Sequence, residues 1–255
     1  MIKKLLFVNA IFISILTMMI VVPEVMGDTV TVYEVNGFYS GVGGEFTLKI
    51  INNNAVPDLN SNWALYNSNT RDIGTHDPSF QSFCVEKNEY VETDGHAYAA
   101  VLNDKAIYGG NYPNGDPLSV GTAWLYHEFQ SGRLTGYDYT GSGRATDAGA
   151  LQDTIWWLEG EANNPNNFYS QLIVDANHFG SAAAAKADNF QDGDRQIPVM
   201  ILNLWDPGHV GDYNYRHQDQ LVCVPPTEAP EPATMILLGS GLLGLAGVAR
   251  KRFKK

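Results

Sequence analysis

The chain has 255 residues, with 28 acidic and 16 basic side chains and a formal net charge of −12. Seven of the basic residues lie within the first four and the last six positions, and three of the acidic ones lie in the terminal segments 1–27 and 226–255. The body, 28–225, therefore keeps 9 basic and 25 acidic residues, a net charge of about −16. Such a surface excludes nucleic acid and anionic lipid as favoured partners, and the length of the body suits one domain.

Residues 1–27 have the pattern of a secretory signal peptide. A pair of lysines precedes an apolar stretch, 5–22, and the small or modest residues at 25–27 suit a signal peptidase site. We therefore expect cleavage before Asp28 and export of the body. A retained membrane anchor is the alternative interpretation.

The first half of the body is predicted to consist mainly of strands. Residues 29–35 are rich in β-branched side chains, 45–50 alternate between apolar and polar, and 80–86 form a short strand with Cys84 near its end. Residues 90–102 fit either a strand or a helix.

The middle of the body is predicted to be helical. A helix over 119–130 is followed by a second one that Thr146 or Asp147 could cap and that continues to about Glu161. A third helix is expected over 167–177.

Strands return at 197–202 and 220–224, and no internal repeat interrupts the chain. The order of strands, helices and strands predicts an α+β fold. We expect a β-sandwich or barrel of early and late strands with an inserted helical segment.

The C-terminal segment, 226–255, carries three features in order. Pro230, Glu231 and Pro232 are followed by an apolar run, 233–249, that is just long enough to cross a membrane, and then by a basic cluster. This arrangement resembles the PEP-CTERM sorting signal of Gram-negative and related bacteria. The resemblance implies a transient membrane-anchored intermediate, recognition by an exosortase-type enzyme, and delivery to the cell surface or extracellular matrix. An ordinary membrane anchor would also leave the body outside the cytoplasm.

Gln152 is unusual because it falls beside or within the apolar face of the second predicted helix. It shares a face with Ala148, Ile155 and Trp156 by three- and four-residue spacing. A buried carboxamide without hydrogen-bond partners costs roughly 1–3 kcal/mol. Gln152 is therefore either bonded to a backbone edge, or its carbonyl carbon has been attacked by a thiolate with release of ammonia.

Cys84 is the candidate thiol for such a reaction. Because the thiolate is the reactive form, a base such as His96 or His127 would have to activate it. A thioester must also be shielded from water. Four aromatic side chains could form that apolar cover: Phe83, Trp124, Trp156 and Trp157. The ordinary expectation for two cysteines in an exported body is instead a disulfide between Cys84 and Cys223.

Two motifs resemble those of the bacterial thioester domains found at the tips of surface adhesins. Phe83-Cys84-Val85-Glu86 is similar to their aromatic–Cys–hydrophobic–acidic motif, and we expect Glu86 to support the thiol. Residues 151–156, Leu-Gln-Asp-Thr-Ile-Trp, are similar to their hydrophobic–Gln–two residues–hydrophobic–Trp motif. The resemblance implies a Cys on a strand joined by an internal thioester to a Gln on a helix, here Cys84 and Gln152.

The sequence thus predicts an exported, adhesin-like surface or biofilm-matrix protein that attaches covalently to an amine-bearing partner such as a lysine. The chemistry is single-turnover, so we expect neither an enzyme nor a cofactor. The first alternative is a disulfide-locked structural protein of an exopolysaccharide matrix, and the second is a cysteine hydrolase. Metal sites are not expected: residues 192–194, Asp-Gly-Asp, lack the rest of a calcium loop, and the histidines are scattered.

Overall fold

A computed structural model describes residues 28–41, 43–52, 79–108, 114–191 and 194–224. The predicted signal peptide, 1–27, and the sorting tail, 226–255, lie outside these ranges, as does the apolar run at 233–249. Within the described ranges, no helix combines the length and hydrophobicity that a membrane crossing requires.

Six strands form one curled antiparallel sheet in the order β10-β9-β4-β1-β2-β3. The six strands are β1 (Asp28–Ser40), β2 (Gly43–Asn52), β3 (Ser79–Ser82), β4 (Asp94–Asn103), β9 (Val199–Trp205) and β10 (Arg216–Cys223). Two short ribbons accompany the sheet: β5 (Lys105–Ala106) with β6 (Asp116–Pro117), and β7 (Phe190–Gln191) with β8 (Asp194–Arg195). The region at 90–102 that fitted either a strand or a helix is therefore mostly strand.

The segment that follows β3 connects the two ends of this strand order. Val85 N–H donates to the Asp219 carbonyl (3.1 Å), Leu221 N–H donates to the Phe83 carbonyl (3.1 Å), and Cys84 lies opposite Gln220. Residues 83–85 thus bond to β10, although β3 and β10 are at opposite ends of the sheet. The α+β class is confirmed, and the sandwich or barrel closure stays a prediction.

The middle of the body is helical, as predicted. In the part of the chain that the structure describes, the α-helices are α1 (Val120–Gln130), α2 (Arg144–Leu158), α3 (Phe168–Val174) and α4 (Ala182–Ala185). Ser119 caps α1 by accepting a hydrogen bond from Thr122 N–H. The predicted cap of α2 at Thr146 or Asp147 is wrong, because the helix begins earlier and Asp147 instead accepts a hydrogen bond from Asp138 N–H (2.8 Å).

A buried ion pair anchors the first residue of α2 to the sheet. The Arg144 guanidinium binds both carboxylate oxygens of Glu45 on β2, at 2.7 and 2.6 Å, and Tyr137 donates to the same carboxylate (2.5 Å). Burial raises the pKa of Glu45, and Arg144 opposes that effect. Since a buried charge without its partner is costly, this pair favours the start of α2 at Arg144 over the later positions expected from capping preference.

The sheet separates two apolar clusters because successive side chains of a strand point to opposite faces. The helix-side cluster includes Phe83, Val85, Leu125, Tyr126, Phe129, Leu151, Ile155, Trp157, Val199, Ile201, Leu221 and Cys223. The inner cluster includes Val30, Val32, Phe46, Leu48, Phe80, Cys84, Tyr98, Trp156, Leu202, Leu204, Val222 and Val224. Helix α2 packs on β1 and β2 and contributes Trp156 to the inner cluster.

Glu159, immediately after α2, makes a pH-dependent contact with the start of α1. The Ser119 hydroxyl donates to Glu159 Oε1 (2.6 Å). Burial raises the pKa of Glu159 to about 7, against the opposing effect of hydrogen bonds from Ser119 and Thr122. Because the folded-state pKa exceeds the ordinary value of 4.5, the proton stabilises the folded chain. That stabilisation is complete below about pH 4.5 and is lost as the pH rises through about 7.

We expect Glu159→Gln, which cannot titrate, to remove this component. The melting temperature of the natural protein minus that of the variant should fall between about pH 4.5 and pH 8, because all other titrating groups cancel in the difference. Thermal unfolding followed by circular dichroism measures it. A difference that stays constant over this range would contradict the role given to Glu159.

Candidate functional site

The structure brings Cys84 and Gln152 together, although 68 positions separate them in the chain. Cys84 N–H donates to Gln152 Oε1 (3.0 Å), and Gln152 Nε2 donates to the Cys84 carbonyl (2.8 Å). Both residues are fully buried. The Gln152 carboxamide is therefore held in register with the backbone of the residue that carries the thiol.

A glycine at the start of β2 permits this contact. A Cβ atom placed on Gly43 would lie 2.5 Å from Gln152 Cγ and 2.8 Å from Trp156 Cη2. A second glycine lies on the helix itself: a Cβ on Gly149 of α2 would lie 3.0 Å from Ser40 Cβ on β1. The glycines let α2 approach the β1–β2 turn closely enough for Gln152 to reach the strand segment beyond it.

The Cys84 thiol lies in an apolar cluster and has a polar contact with Gln220. Gln220 Nε2 donates a weak hydrogen bond to Cys84 Sγ (3.6 Å). Burial raises the pKa of Cys84 well above its ordinary value, Gln220 lowers it, and the charges of Glu34 and Glu86 raise it further. The thiol is therefore protonated at neutral pH in this structure.

Neither histidine expected as a base is among the groups that act on the Cys84 thiol. His96 lies 3.3 Å from a carboxylate oxygen of Glu92, and His127 lies 3.6 Å from one of Glu128. Burial lowers the pKa of His127. The polar group in contact with the sulfur is instead a carboxamide from β10.

The four aromatic residues expected as cover divide between the two faces of the sheet. Trp156 shares the inner cluster with Cys84. On the helix side, the Phe83 ring packs against Phe129 (5.0 Å between centroids), and Trp124 packs against His178 (4.6 Å). Trp157 also belongs to the helix-side cluster. Of these four residues, Trp156 alone therefore lies in the same cluster as Cys84.

Cys84 and Cys223 are not paired with each other in the structure, so the disulfide expected as an alternative is not formed. The reason is strand geometry. Cys84 lies opposite Gln220, and Cys223 is three positions further along the same strand. Residues an odd number of positions apart point to opposite faces, and the two sulfurs accordingly belong to different clusters.

Two buried polar atoms near this pair have no hydrogen-bond partner among the residues that the structure describes. They are Gln220 Oε1 and Trp156 Nε1. Gln220 was missed in the sequence reasoning, although a glutamine within the apolar run 220–224 was a usable signal. Nothing in the sequence indicated that Gly43, the first residue of β2, faces Gln152.

A cavity of about 450 Å³ borders the buried carboxamide. Its walls come from the β1–β2 turn, one face of α2 and the start of α3. They include Ser40, Gly41, Gly43, Thr146, Gly149, Ala150, Gln152, Asp153, Trp156, Pro165 and Asn167. Asp153 is exposed and places a carboxylate on this wall, one residue from Gln152.

Glu86, expected to support the thiol, is buried in a separate polar group. Its carboxylate oxygen lies within 4.8 Å of those of Glu89 and Asp219. Tyr108 N–H donates to Glu86 Oε1 (2.7 Å). The acidic residue of the Cys84 motif thus connects this strand end to β10 and to the loop after β5.

Comparison with known proteins identifies a sorting motif at the end of the chain. Residues 228–252 match the family model of the PEP-CTERM protein-sorting motif, which confirms the sorting signal predicted around Pro230, Glu231 and Pro232. No curated protein and no solved structure matches the chain. The motif indicates an exported protein that an exosortase-type enzyme recognises and sorts to the cell surface. The resemblance of the body to thioester domains stays an expectation.

Gly43→Ala tests whether close approach at this glycine positions Gln152. We expect a loss of about 1–3 kcal/mol in the free energy of unfolding, because the added methyl group overlaps two side chains of α2. Urea unfolding measures the loss. In a Gln152→Ala background, where Cγ is absent, the same substitution should cost less. An equal loss in both backgrounds would show that Gln152 is not the side chain that requires the glycine.

Proposed function

We propose that Cys84 and Gln152 form an internal thioester through which this exported protein attaches covalently to amine-bearing partners at the cell exterior. The observation that carries the proposal is the reciprocal pair of hydrogen bonds between the Gln152 side chain and the Cys84 backbone, at 3.0 and 2.8 Å, in a fully buried position. This contact supports a carboxamide already aligned with the thiol-bearing residue.

The chemistry needs no group from outside the chain until the partner arrives. The Cys84 sulfur adds to the Gln152 carbonyl carbon, the C–N bond breaks, and the amide nitrogen leaves as ammonia with the thiol proton. The partner amine later adds to the same carbon, the C–S bond breaks, and the sulfur regains a proton as an amide forms on Gln152. Each molecule reacts once, so the protein acts as an attachment device and not as an enzyme.

Proximity has to compensate for a thiol that burial keeps protonated. Holding two reacting groups in place is worth on the order of 7–11 kcal/mol relative to free reactants. The Gln220 amide at the sulfur favours developing negative charge there. The indole N–H of Trp156, one helical turn after Gln152 and without a partner among the described residues, is available to a carbonyl oxygen that gains charge.

Burial supports a bond that survives in water until it meets its target. Cys84 and Gln152 are inaccessible to solvent, and Trp156 is nearly so. The 450 Å³ cavity reaches the Gln152 side chain from outside, between the β1–β2 turn and α2. A partner amine would enter there and displace part of the wall before it reaches the carbonyl carbon.

The partner we propose is a surface lysine or another primary amine. Asp153 on the cavity wall attracts a protonated amine, and the sorting tail delivers the body to the cell surface, where such partners are available. Deposition in an extracellular matrix fits the same chemistry.

A structural scaffold without a reactive bond is the second candidate. The observation that favours it is that the same two hydrogen bonds satisfy the buried Gln152 amide, as an ordinary helix-to-strand contact would. The two candidates differ by one covalent bond and therefore by mass.

Intact-mass spectrometry of the purified full-length protein separates them. We expect the natural protein to be lighter by one ammonia than calculated for its termini, and methylamine to add its full mass. Cys84→Ala should show the calculated mass and no reaction with methylamine. The matched control is Cys223→Ser, which alters the other buried cysteine and should retain both properties. If the natural protein and Cys84→Ala both have their calculated masses, the scaffold interpretation is correct.

Asp153→Asn tests the entry route. We expect a several-fold lower rate of reaction with methylamine, which is a cation at neutral pH, and a smaller difference at high ionic strength. Hydroxylamine, which is largely uncharged under these conditions, should react at the same rate with both proteins. Equal slowing of both nucleophiles would mean that Asp153 supports the site structurally and does not attract the amine.

A further inference from the structure

Three buried carboxylates meet at the end of the strand segment that carries Cys84. Glu86 and Glu89 come from the loop after this segment, and Asp219 lies on β10 at an irregularity in its pairing with β9. One carboxylate oxygen of each residue lies within 4.8 Å of those of the other two. We call these three residues the acidic cluster.

The negative charge of this cluster is only partly balanced. Within the described ranges, the cation in contact with it is Arg216, whose Nε lies 2.5 Å from Glu89 Oε1. The Arg216 guanidinium is also stacked on the rings of Tyr108 and Tyr213, at 4.6 and 3.7 Å. Among the described residues, one guanidinium therefore serves three buried carboxyl groups.

Backbone and side-chain N–H groups nevertheless donate hydrogen bonds to two of the three carboxyl groups. Asp219 accepts hydrogen bonds from Ile107 N–H (2.8 Å), Asn203 Nδ2 (2.8 Å) and Leu204 N–H (3.3 Å). Tyr108 N–H donates to Glu86. Donors arranged in this way favour ionised carboxylates.

Two buried oxygens of the cluster lack a donor. Glu86 Oε2 and Glu89 Oε2 accept no hydrogen bond from an N–H group or hydroxyl of the described residues, and the two carboxyl groups lie against each other, although Glu86 is only 1% and Glu89 only 7% exposed. Buried carboxylate oxygens are normally paired or bound to a metal. Their position beside a third carboxylate is that of ligands without their ion.

We propose that Glu86, Glu89 and Asp219 bind a calcium ion. An all-oxygen, carboxylate-rich set suits a hard cation. Oxygens up to 4.8 Å apart are compatible with Ca–O distances of about 2.3–2.6 Å, and calcium tolerates the irregular geometry that such a loop supplies. The ion would attach the loop after Cys84 to β10, and it is independent of the thioester.

Calcium binding to the full-length protein tests this site. After removal of metal with EDTA, equilibrium dialysis at physiological ionic strength should show one calcium ion per chain, within the range of about 10⁻⁴–10⁻³ M typical of extracellular modules. Saturating calcium should raise the melting temperature by several degrees. Terbium luminescence excited through nearby tyrosines provides a second readout, and calcium should displace the terbium.

Substitutions locate the ion. Glu86→Gln/Glu89→Gln, which keeps the side-chain size and an acceptor for Tyr108 N–H, should lose the calcium response and bind at least about ten-fold more weakly. Should that variant fail to fold, Glu89→Gln alone provides the same comparison. The matched control is Glu92→Gln, which removes an exposed carboxylate (68% exposed) from the same loop and should bind like the natural protein.

Two results would overturn the proposal. One is no stoichiometric binding by the natural protein up to about 10 mM calcium, beyond the extracellular range. The other is equal binding by the double variant, which would assign the calcium to the acidic surface. Neither result depends on the mass of the Cys84–Gln152 pair.

Discussion

Two hydrogen bonds between one side chain and one backbone unit organise this domain. Gln152 on α2 completes the hydrogen bonding of Cys84 at the place where the segment after β3 meets β10. The two hydrogen bonds therefore connect the inserted helices to both ends of the strand order. Gly43 leaves the space that α2 needs, and the Arg144–Glu45 pair fixes where α2 begins.

The same burial has opposite effects on the two halves of the proposed chemistry. It protects a thioester from water, but it also raises the pKa of the Cys84 thiol that would have to form one. For a stored electrophile, protection from water matters more than fast formation, because the bond forms once whereas it must survive until a partner arrives. Proximity of the reacting groups, worth on the order of 7–11 kcal/mol, is the contribution large enough to offset the raised pKa of the thiol.

Acidic groups are found both on the surface of this protein and in its interior, and the two locations have different consequences. The exported body is strongly acidic, which suits a solvated protein outside the cell. Arg144 and Glu45 form a buried pair in which each charge has a partner. The acidic cluster differs, because its three carboxyl groups share one guanidinium among the described residues. Calcium at that point would stabilise the loop that leads away from Cys84, so an ion and a covalent bond would hold neighbouring parts of the same chain.

The sequence by itself determined the sorting tail, the α+β class and the type of the main elements, because those depend on local periodicity and on motifs contiguous in the chain. It also indicated Cys84 and Gln152 as a pair. Only the tertiary structure decided which residues surround them: Cys223 lies on the other face, and Gln220 and Gly43 meet them from distant strands. Strand alternation and register set these contacts, and register depends on pairing between segments far apart in the chain.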